Sequence, residues 1–126
     1  MAEDLQRKMQ AELETYQTLQ KEYRKALTVR QQLETQLTEN NMVSDELKML
    51  KDDTAIFKSV GPILVKTELV EAKQNVLKRI EYISKEMKRV EEQIAGIEKK
   101  QDTSRETLQK FQQQIQQAQM RAAMQA

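Results

Sequence analysis

The sequence contains no cysteine, no histidine and no tryptophan, and among its 126 residues only two are glycine and one is proline. The missing cysteine excludes disulfides and thiolate metal sites, which fits a reducing compartment. The missing histidine, together with the lack of a glycine-rich phosphate loop, removes the usual ingredients of an active site. Because glycine and proline form many turns, their scarcity leaves room for few chain reversals, and we expect long secondary-structure elements.

A charge excess and long apolar runs are missing too. The 21 basic and 20 acidic residues are interleaved along the chain and leave a net charge of +1. Without a basic stripe to neutralise phosphates, nucleic acid is not an expected partner. No apolar run approaches the roughly 18 residues of a membrane span, and the first residues, MAEDLQRKMQ, are too charged for a signal peptide. These features predict a cytoplasmic protein that is not an enzyme and uses no membrane, metal or cofactor.

A heptad pattern predicts a first helix over residues 3–52. Apolar residues recur there with alternating steps of three and four residues or their multiples, as in coiled coils. These seam residues are Leu5, Met9, Tyr16, Leu19, Tyr23, Ala26, Leu33, Leu37 and Leu47. Four further seam positions are polar and hold Glu12, Arg30, Asn40 and Ser44. We expect Asp52, Asp53 and Thr54 to end the helix.

A more regular heptad pattern predicts a second helix over residues 68–122, with Thr67 as its N-cap. From Ile80 onward every step along its seam is three or four residues, which is more regular than an ordinary surface helix. The seam residues are Ile80, Ile83, Met87, Val90, Ile94, Ile97, Gln101, Ser104, Leu108, Phe111, Ile115, Ala118 and Ala122. All but Gln101 and Ser104 are apolar.

Two long helices joined by a short reversal should lie antiparallel. The predicted fold class is therefore mainly α, an antiparallel two-helix coiled coil with one β-hairpin at its closed end, forming a single domain over residues 1–126. The expected register places Leu19 near Gln101 and Leu5 near Ile115. Polar residues within the seam either specify this register or mark a flexible point, and the sequence leaves both interpretations open.

The twelve residues AIFKSVGPILVK (55–66) have the composition of a β-hairpin. Their β-branched and aromatic residues suit two strands, and Gly61-Pro62 suits the reversal. A lone two-stranded ribbon is marginal in water, and its edges offer unpaired backbone groups. We therefore expect hairpins of other chains to complete the sheet, and the alternative is a loop folded onto its own helices. The predicted assembly surface consists of Ile56, Phe57, Val60, Gly61, Pro62, Ile63, Leu64 and Val65.

The runs QLTENNMVSDELKML and IFKSVGPILVKTELVEAKQNVLKRIEYISKEMKRVEEQ resemble β-type subunits of prefoldin. The resemblance is close over about residues 32–93 and looser in the helix ends. It implies an ATP-independent, hetero-hexameric co-chaperone of two α-type and four β-type subunits, whose hairpins form a double β-barrel platform. It also implies that unfolded clients, including actin and tubulin, are captured between the distal coiled-coil tips and delivered to the cytosolic chaperonin.

The helix ends distant from the hairpin are the predicted client-binding surface. Coiled-coil ends fray, and flexible methionine side chains adapt to irregular apolar surfaces. The last residues, FQQQIQQAQMRAAMQA, carry a single charge, at Arg121, which lowers the desolvation penalty against a non-native chain. The predicted client-binding residues are Leu5, Met9, Leu13, Phe111, Ile115, Met120 and Met124. The alternative is that these residues only complete the coiled coil.

A passive coiled-coil scaffold or adaptor is the main alternative function. Such a protein would share the two helices, but it has no use for an incomplete apolar ribbon or for helix ends of low charge. The two classes differ in their partners, since a co-chaperone subunit should be found with five other subunits and an adaptor with one fixed partner or a second copy.

Overall fold

The computed structural model describes residues 2–125 as two long helices joined by one β-hairpin. Helix α1 is Ala2–Met49, strand β1 is Ile56–Val60, strand β2 is Ile63–Thr67 and helix α2 is Leu69–Gln125. The strands form a two-stranded antiparallel sheet. This element order confirms the predicted fold class. Among the described helices, none is long and apolar enough to cross a membrane.

The chain divides into two compact units, each of which contains parts of both helices. The first unit comprises the described parts of Met1–Thr28 and Glu92–Ala126, and the second is Val29–Glu91, which includes the hairpin. Each unit has its own buried residues. The assignment of the whole chain to one domain stays a prediction.

The seam of α1 follows the predicted heptad positions, polar ones included. Leu19, Ala26 and Leu47 are buried, while the remaining seam positions are partly buried. The partly buried positions are Leu5, Met9, Glu12, Tyr16, Tyr23, Arg30, Leu33, Leu37, Asn40 and Ser44. A seven-residue repeat keeps one stripe of a helix facing its neighbour, which explains why polar residues at these positions lose solvent as well.

The seam of α2 is buried or partly buried at every predicted position from Ile80 to Ala118, with Val90 only 2% exposed. The predicted last position, Ala122, is exposed, so the seam ends one step earlier than expected. Register explains the difference. In the first unit the Tyr23 hydroxyl donates to Glu98 Oε1 at 3.3 Å, and in this register residues 120–125 extend beyond the first turn of α1.

A polar layer interrupts the apolar seam of the first unit. Gln101 and Ser104 are buried, and Ser104 Oγ donates a hydrogen bond of 2.7 Å to Glu12 Oε1. Within residues 2–125, no buried side-chain nitrogen or oxygen lacks a hydrogen-bond partner. Because this bond forms in only one alignment of the two helices, the arrangement favours the interpretation that polar seam residues specify the register.

In the second unit, an apolar cluster joins the helices to the hairpin. Leu47 of α1 packs with Leu69 and Val76 of α2, and the partly buried Ile56 of β1 packs against them. The polar seam residue Arg30 is paired as well, since its guanidinium lies 3.4 Å from Glu34 and 3.2 Å from Glu91. These ion pairs are largely exposed and add little stability. The apolar cluster connects the hairpin to the helices through Ile56.

The predicted helix ranges, 3–52 and 68–122, differ from the observed helices by one to three residues at each end, and α2 continues to Gln125. Helix α1 ends at Met49, and a turn follows in which the Thr54 amide donates to the Lys51 carbonyl at 3.0 Å. Aspartates are unfavourable at the negative end of a helix dipole, which explains why the helix stops before Asp52 and Asp53. Thr67 is not the N-cap, because it belongs to β2 and the carbonyl of Glu68 accepts the first helical hydrogen bond.

The Ser104→Ala substitution should lower the free energy of unfolding by about 1–2 kcal/mol, because the partly buried carboxylate of Glu12 loses its hydrogen bond. Urea unfolding of the full chain, followed by helical circular dichroism, measures this change. The matched control is Thr103→Ala, since Thr103 is exposed and its hydroxyl donates to the carbonyl of Lys99 in its own helix. We expect the control to stay within about 0.5 kcal/mol of the original chain. Equal effects of the two substitutions would contradict a role for the polar layer.

Candidate functional site

The reversal of the hairpin is built by Gly61 and Pro62. Strand register pairs Val60 with Ile63, so the loop contains two residues. Gly61 has a φ of 59°, in the left-handed region that favours glycine, and proline holds φ at about −65°. Positive φ followed by negative φ is the pattern of a type II′ turn, whose twist matches the twist of the flanking strands. The predicted turn residues therefore form the tightest common hairpin connection.

The register divides the hairpin side chains between two faces, because neighbours along a strand point to opposite sides. The first face holds Ile56, Lys58, Val60, Ile63, Val65 and Thr67. The second face holds Phe57, Ser59, Leu64 and Lys66. Each face therefore combines large apolar side chains with one lysine, and neither is a polar, solvent-adapted surface.

Most of the predicted assembly surface is exposed to solvent. Ile56 is the exception, since it is partly buried and packs against the helix cluster of Leu47, Leu69 and Val76. The other large apolar residues have exposed fractions of 45–69%: Phe57, Val60, Ile63, Leu64 and Val65. The hairpin thus stands clear of the described helices in its unit instead of folding onto them, and its apolar faces lack cover within residues 2–125.

Further apolar residues near the hairpin were missed by the sequence analysis. Met49 and Val70, next to the two ends of the hairpin, are 86% and 65% exposed. Met42 and Leu77 lie seven residues from them in the sequence, on the same helix faces, and are also exposed. Their position outside both seams is a signal that the sequence already contained, since an apolar residue off the seam of a two-helix coil has nothing to pack against.

The charge of the hairpin is entirely positive. Lys58 and Lys66 are its ionised residues, and no acidic residue lies between Asp53 and Glu68. The acidic residues therefore flank the base of the ribbon while the lysines stand on the ribbon itself. Within the described residues, no group of three or more acidic side chains is arranged to hold a metal ion.

The predicted client-binding residues fall into two groups in the first unit. Five are partly buried in or beside the seam: Leu5, Met9, Leu13, Phe111 and Ile115. Met120 and Met124 are 67% and 87% exposed, because they lie in the part of α2 that extends beyond the first turn of α1. The structure therefore presents two of the seven residues largely to solvent, whereas the other five are only partly exposed.

The first unit also contains an open groove of about 1040 Å³ that the sequence analysis did not single out. It runs between residues 11–22 of α1 and residues 96–104 of α2. Gly96 lies along it, and a Cβ added there would meet no atom within 4 Å. Glutamates, lysines and threonines are most of the lining residues, but the surface they present to the groove is more apolar than polar, because such side chains carry aliphatic stems and methyl groups.

One exposed apolar hairpin between two long coiled-coil helices defines a class of chain, because an uncovered apolar surface of this kind is typical of a subunit of a larger assembly. Comparison with known proteins agrees, because the sequence profile of the family described as "Prefoldin subunit" matches residues 10–121. The chain therefore belongs to the prefoldin subunit family. Family membership makes it a chaperone subunit that assembles with other prefoldin subunits.

Individual relatives agree with this assignment. The chain is 50% identical to "Prefoldin subunit 6" of Mus musculus over 119 residues, which covers 94% of each protein. It is 51% identical to "Probable prefoldin subunit 6" of Drosophila melanogaster over 121 residues, covering 96% of this chain and 94% of that one. The crystal structure of the prefoldin beta subunit from Thermococcus strain KS-1 matches with a TM-score of 0.55 and 27% identity, covering 88% of this chain and 91% of that one. The resemblance to β-type prefoldin subunits is confirmed.

The Gly61→Ala substitution should lower the free energy of unfolding by about 1–2 kcal/mol, because alanine is strained at positive φ. Gly96→Ala is the matched control, since it makes the same change in a helix where the added Cβ meets open space. We expect the control to raise the free energy of unfolding by about 0.5–1 kcal/mol through helix propensity. Urea unfolding measures both changes, and a neutral or stabilising Gly61→Ala would contradict the type II′ turn.

Proposed function

We propose that the chain is a subunit of a hetero-hexameric, ATP-independent co-chaperone of the cytoplasm. In this proposal the hairpin joins hairpins of other subunits in a shared β-barrel platform. The coiled-coil tips capture unfolded proteins such as actin and tubulin, which are then delivered to the cytosolic chaperonin. The observation that carries the proposal is an apolar ribbon left exposed on a chain of the prefoldin subunit family. No catalytic step, metal or cofactor is part of it.

Burial of the exposed ribbon supplies the driving force for assembly. At about 25 cal/mol per Å² of apolar surface, covering several large side chains contributes on the order of 10 kcal/mol before entropy costs. Edge pairing adds backbone hydrogen bonds and removes open strand edges, which otherwise promote aggregation. Met49 and Val70 extend the same apolar surface onto the adjoining helix ends, and we include them in the proposed interface.

The Val60→Asp substitution should abolish assembly with other subunits, because it places an unpaired charge in the proposed barrel core. Native mass spectrometry of the complex, purified with its partners, measures the loss, and circular dichroism should find the helices retained. Val29→Asp is the matched control, since Val29 is an exposed valine on α1, away from the hairpin. An assembly that keeps its mass with Val60→Asp would contradict the platform. One fixed partner or a simple homodimer in the original sample would favour the adaptor instead.

The proposed client contacts lie at the helix ends distant from the hairpin. Met120 and Met124 offer exposed, unbranched side chains that adapt to many apolar surfaces. Seven glutamines occupy residues 112–125, whereas Arg121 is the one charged residue there. Uncharged polar groups next to adaptable apolar ones give many weak contacts, which suits a protein that must hold clients and then release them. The partly buried residues, such as Phe111, join when the helix ends separate.

The double substitution Met120→Glu with Met124→Glu should reduce suppression of client aggregation while leaving the assembly intact. The reason is that two charges would replace the exposed apolar contacts of the tip. Aggregation of chemically unfolded actin, followed by light scattering with the assembled complex present, measures the effect. The control is Gln119→Glu with Gln125→Glu, which adds the same charge to the same helix end without removing a methionine.

Deletion of residues 1–10 and 112–126 tests the whole tip. The hexamer should persist, because the hairpin and most of both seams remain. A truncated hexamer that suppresses aggregation as well as the intact one would contradict client binding at the tips.

A further inference from the structure

We propose that the β1 edge of the hairpin is a selective docking edge: it accepts a strand of a different subunit that carries a carboxylate opposite Lys58, and it rejects a second copy of this chain. The inference rests on the proposed role of the hairpin in assembly. It adds the chemistry of the partner strand, which that role leaves open.

Backbone geometry identifies the groups that β1 offers to a neighbour. In a two-residue hairpin the carbonyl of Val60 bonds the amide of Ile63, and hydrogen-bonded pairs then alternate with non-bonded pairs along the ladder. Lys58 therefore directs its backbone groups inward to Val65. The outward amides and carbonyls of β1 belong to Phe57 and Ser59, so an added strand must bond to those two residues.

A second copy of this chain meets a charge conflict at this edge. An antiparallel pairing of β1 with β1 that overlaps all five residues sets Phe57 opposite Ser59 of the second copy. It also sets Lys58 opposite Lys58, as a non-hydrogen-bonded pair with Cα atoms about 4.5 Å apart. Like charges directly opposite each other destabilise a sheet, whereas opposite charges stabilise it. Moving the strands by two residues separates the lysines but leaves two residues of each strand unpaired.

The surroundings of Lys58 strengthen this selection. On the first face of the ribbon Lys58 lies between Ile56 and Val60 and opposite Val65, and it has no acidic neighbour on the ribbon. When a partner covers these apolar side chains, the ammonium group of Lys58 loses water, and its burial costs free energy unless an opposite charge lies beside it. The fitting partner is therefore a strand with aspartate or glutamate at the position facing Lys58.

The β2 edge lacks this conflict. A full antiparallel overlap of β2 with β2 sets Val65 opposite Val65 and Leu64 opposite Lys66 of the second copy, so no like charges face each other directly. The two edges of the ribbon are therefore unequal: β2 tolerates a copy of itself and β1 does not. Copies of this chain alone should pair at most as dimers, through β2.

Mixing two charge variants of the full chain tests the proposal. The original chain alone, and Lys58→Glu alone, should sediment as nothing larger than a dimer, because β1 carries like charges in both cases. An equal mixture should contain species larger than a dimer, since the introduced glutamate faces Lys58 and opens the β1 edge. Sedimentation velocity, repeated at high salt to screen the pair, measures the sizes. Salt should shift the mixture back toward dimers.

The matched control is Lys66→Glu, which changes the charge of the hairpin equally but at the β2 edge. Its mixture with the original chain should keep the sizes of the separate samples. Equal behaviour of the two mixtures, or an original chain that forms large species alone, would overturn the proposal. The test can be separated from the test of the proposed function. A hexamer that survives Val60→Asp would contradict the proposed platform. Loss of the hexamer with Val60→Asp, together with equal behaviour of the two mixtures, would contradict only the selective β1 edge.

Discussion

A chain with two long helices can bury only one stripe of each against the other, and the organisation of this protein follows from that constraint. The predicted heptad positions are buried or partly buried along both helices as far as Ala118, even where the residue is polar. Within the described part of the chain, Ile56 packs against the helix cluster, while the other large apolar residues of the ribbon stay exposed. Two helices packed along one stripe offer little core to the apolar side chains outside it, so Phe57, Ile63 and Leu64 of the ribbon stay exposed in this chain.

Features that depend on neighbouring residues could be predicted from the sequence, whereas features that depend on contacts between distant residues could not. Heptad spacing predicted both seams, and Gly61-Pro62 predicted the turn, because each is a property of neighbouring residues. The helix boundaries were harder to predict. The end of α1, for example, depends on whether the residues before Asp52 and Asp53 are more stable in a turn or in one more turn of helix. The exposure of Ala122 could not be predicted from spacing, because it depends on where α1 begins in the aligned pair.

The candidate site follows the same rule. Hairpin residues could be named from composition, whereas their division between two faces required the strand register. The exposure of Met49 and Val70 could have been predicted from their positions outside the seams. They were missed because the heptad pattern identifies only the residues within the seams. The lysines were overlooked because charged residues on a ribbon are usually only solvated; the register places Lys58 at the centre of its strand.

The helix cluster beside the hairpin bears on the order in which the two helices can pair. Leu47 and Leu69 are close in sequence, so bringing them together closes a short loop, whereas Glu12 and Ser104 are 92 residues apart. Loop-closure entropy rises with separation, by about 0.6 kcal/mol for each doubling. Contacts beside the hairpin therefore have the lowest loop-closure cost, and the cost rises toward the remote helix ends. We expect folding to begin beside the hairpin and the remote helix ends to separate first on unfolding.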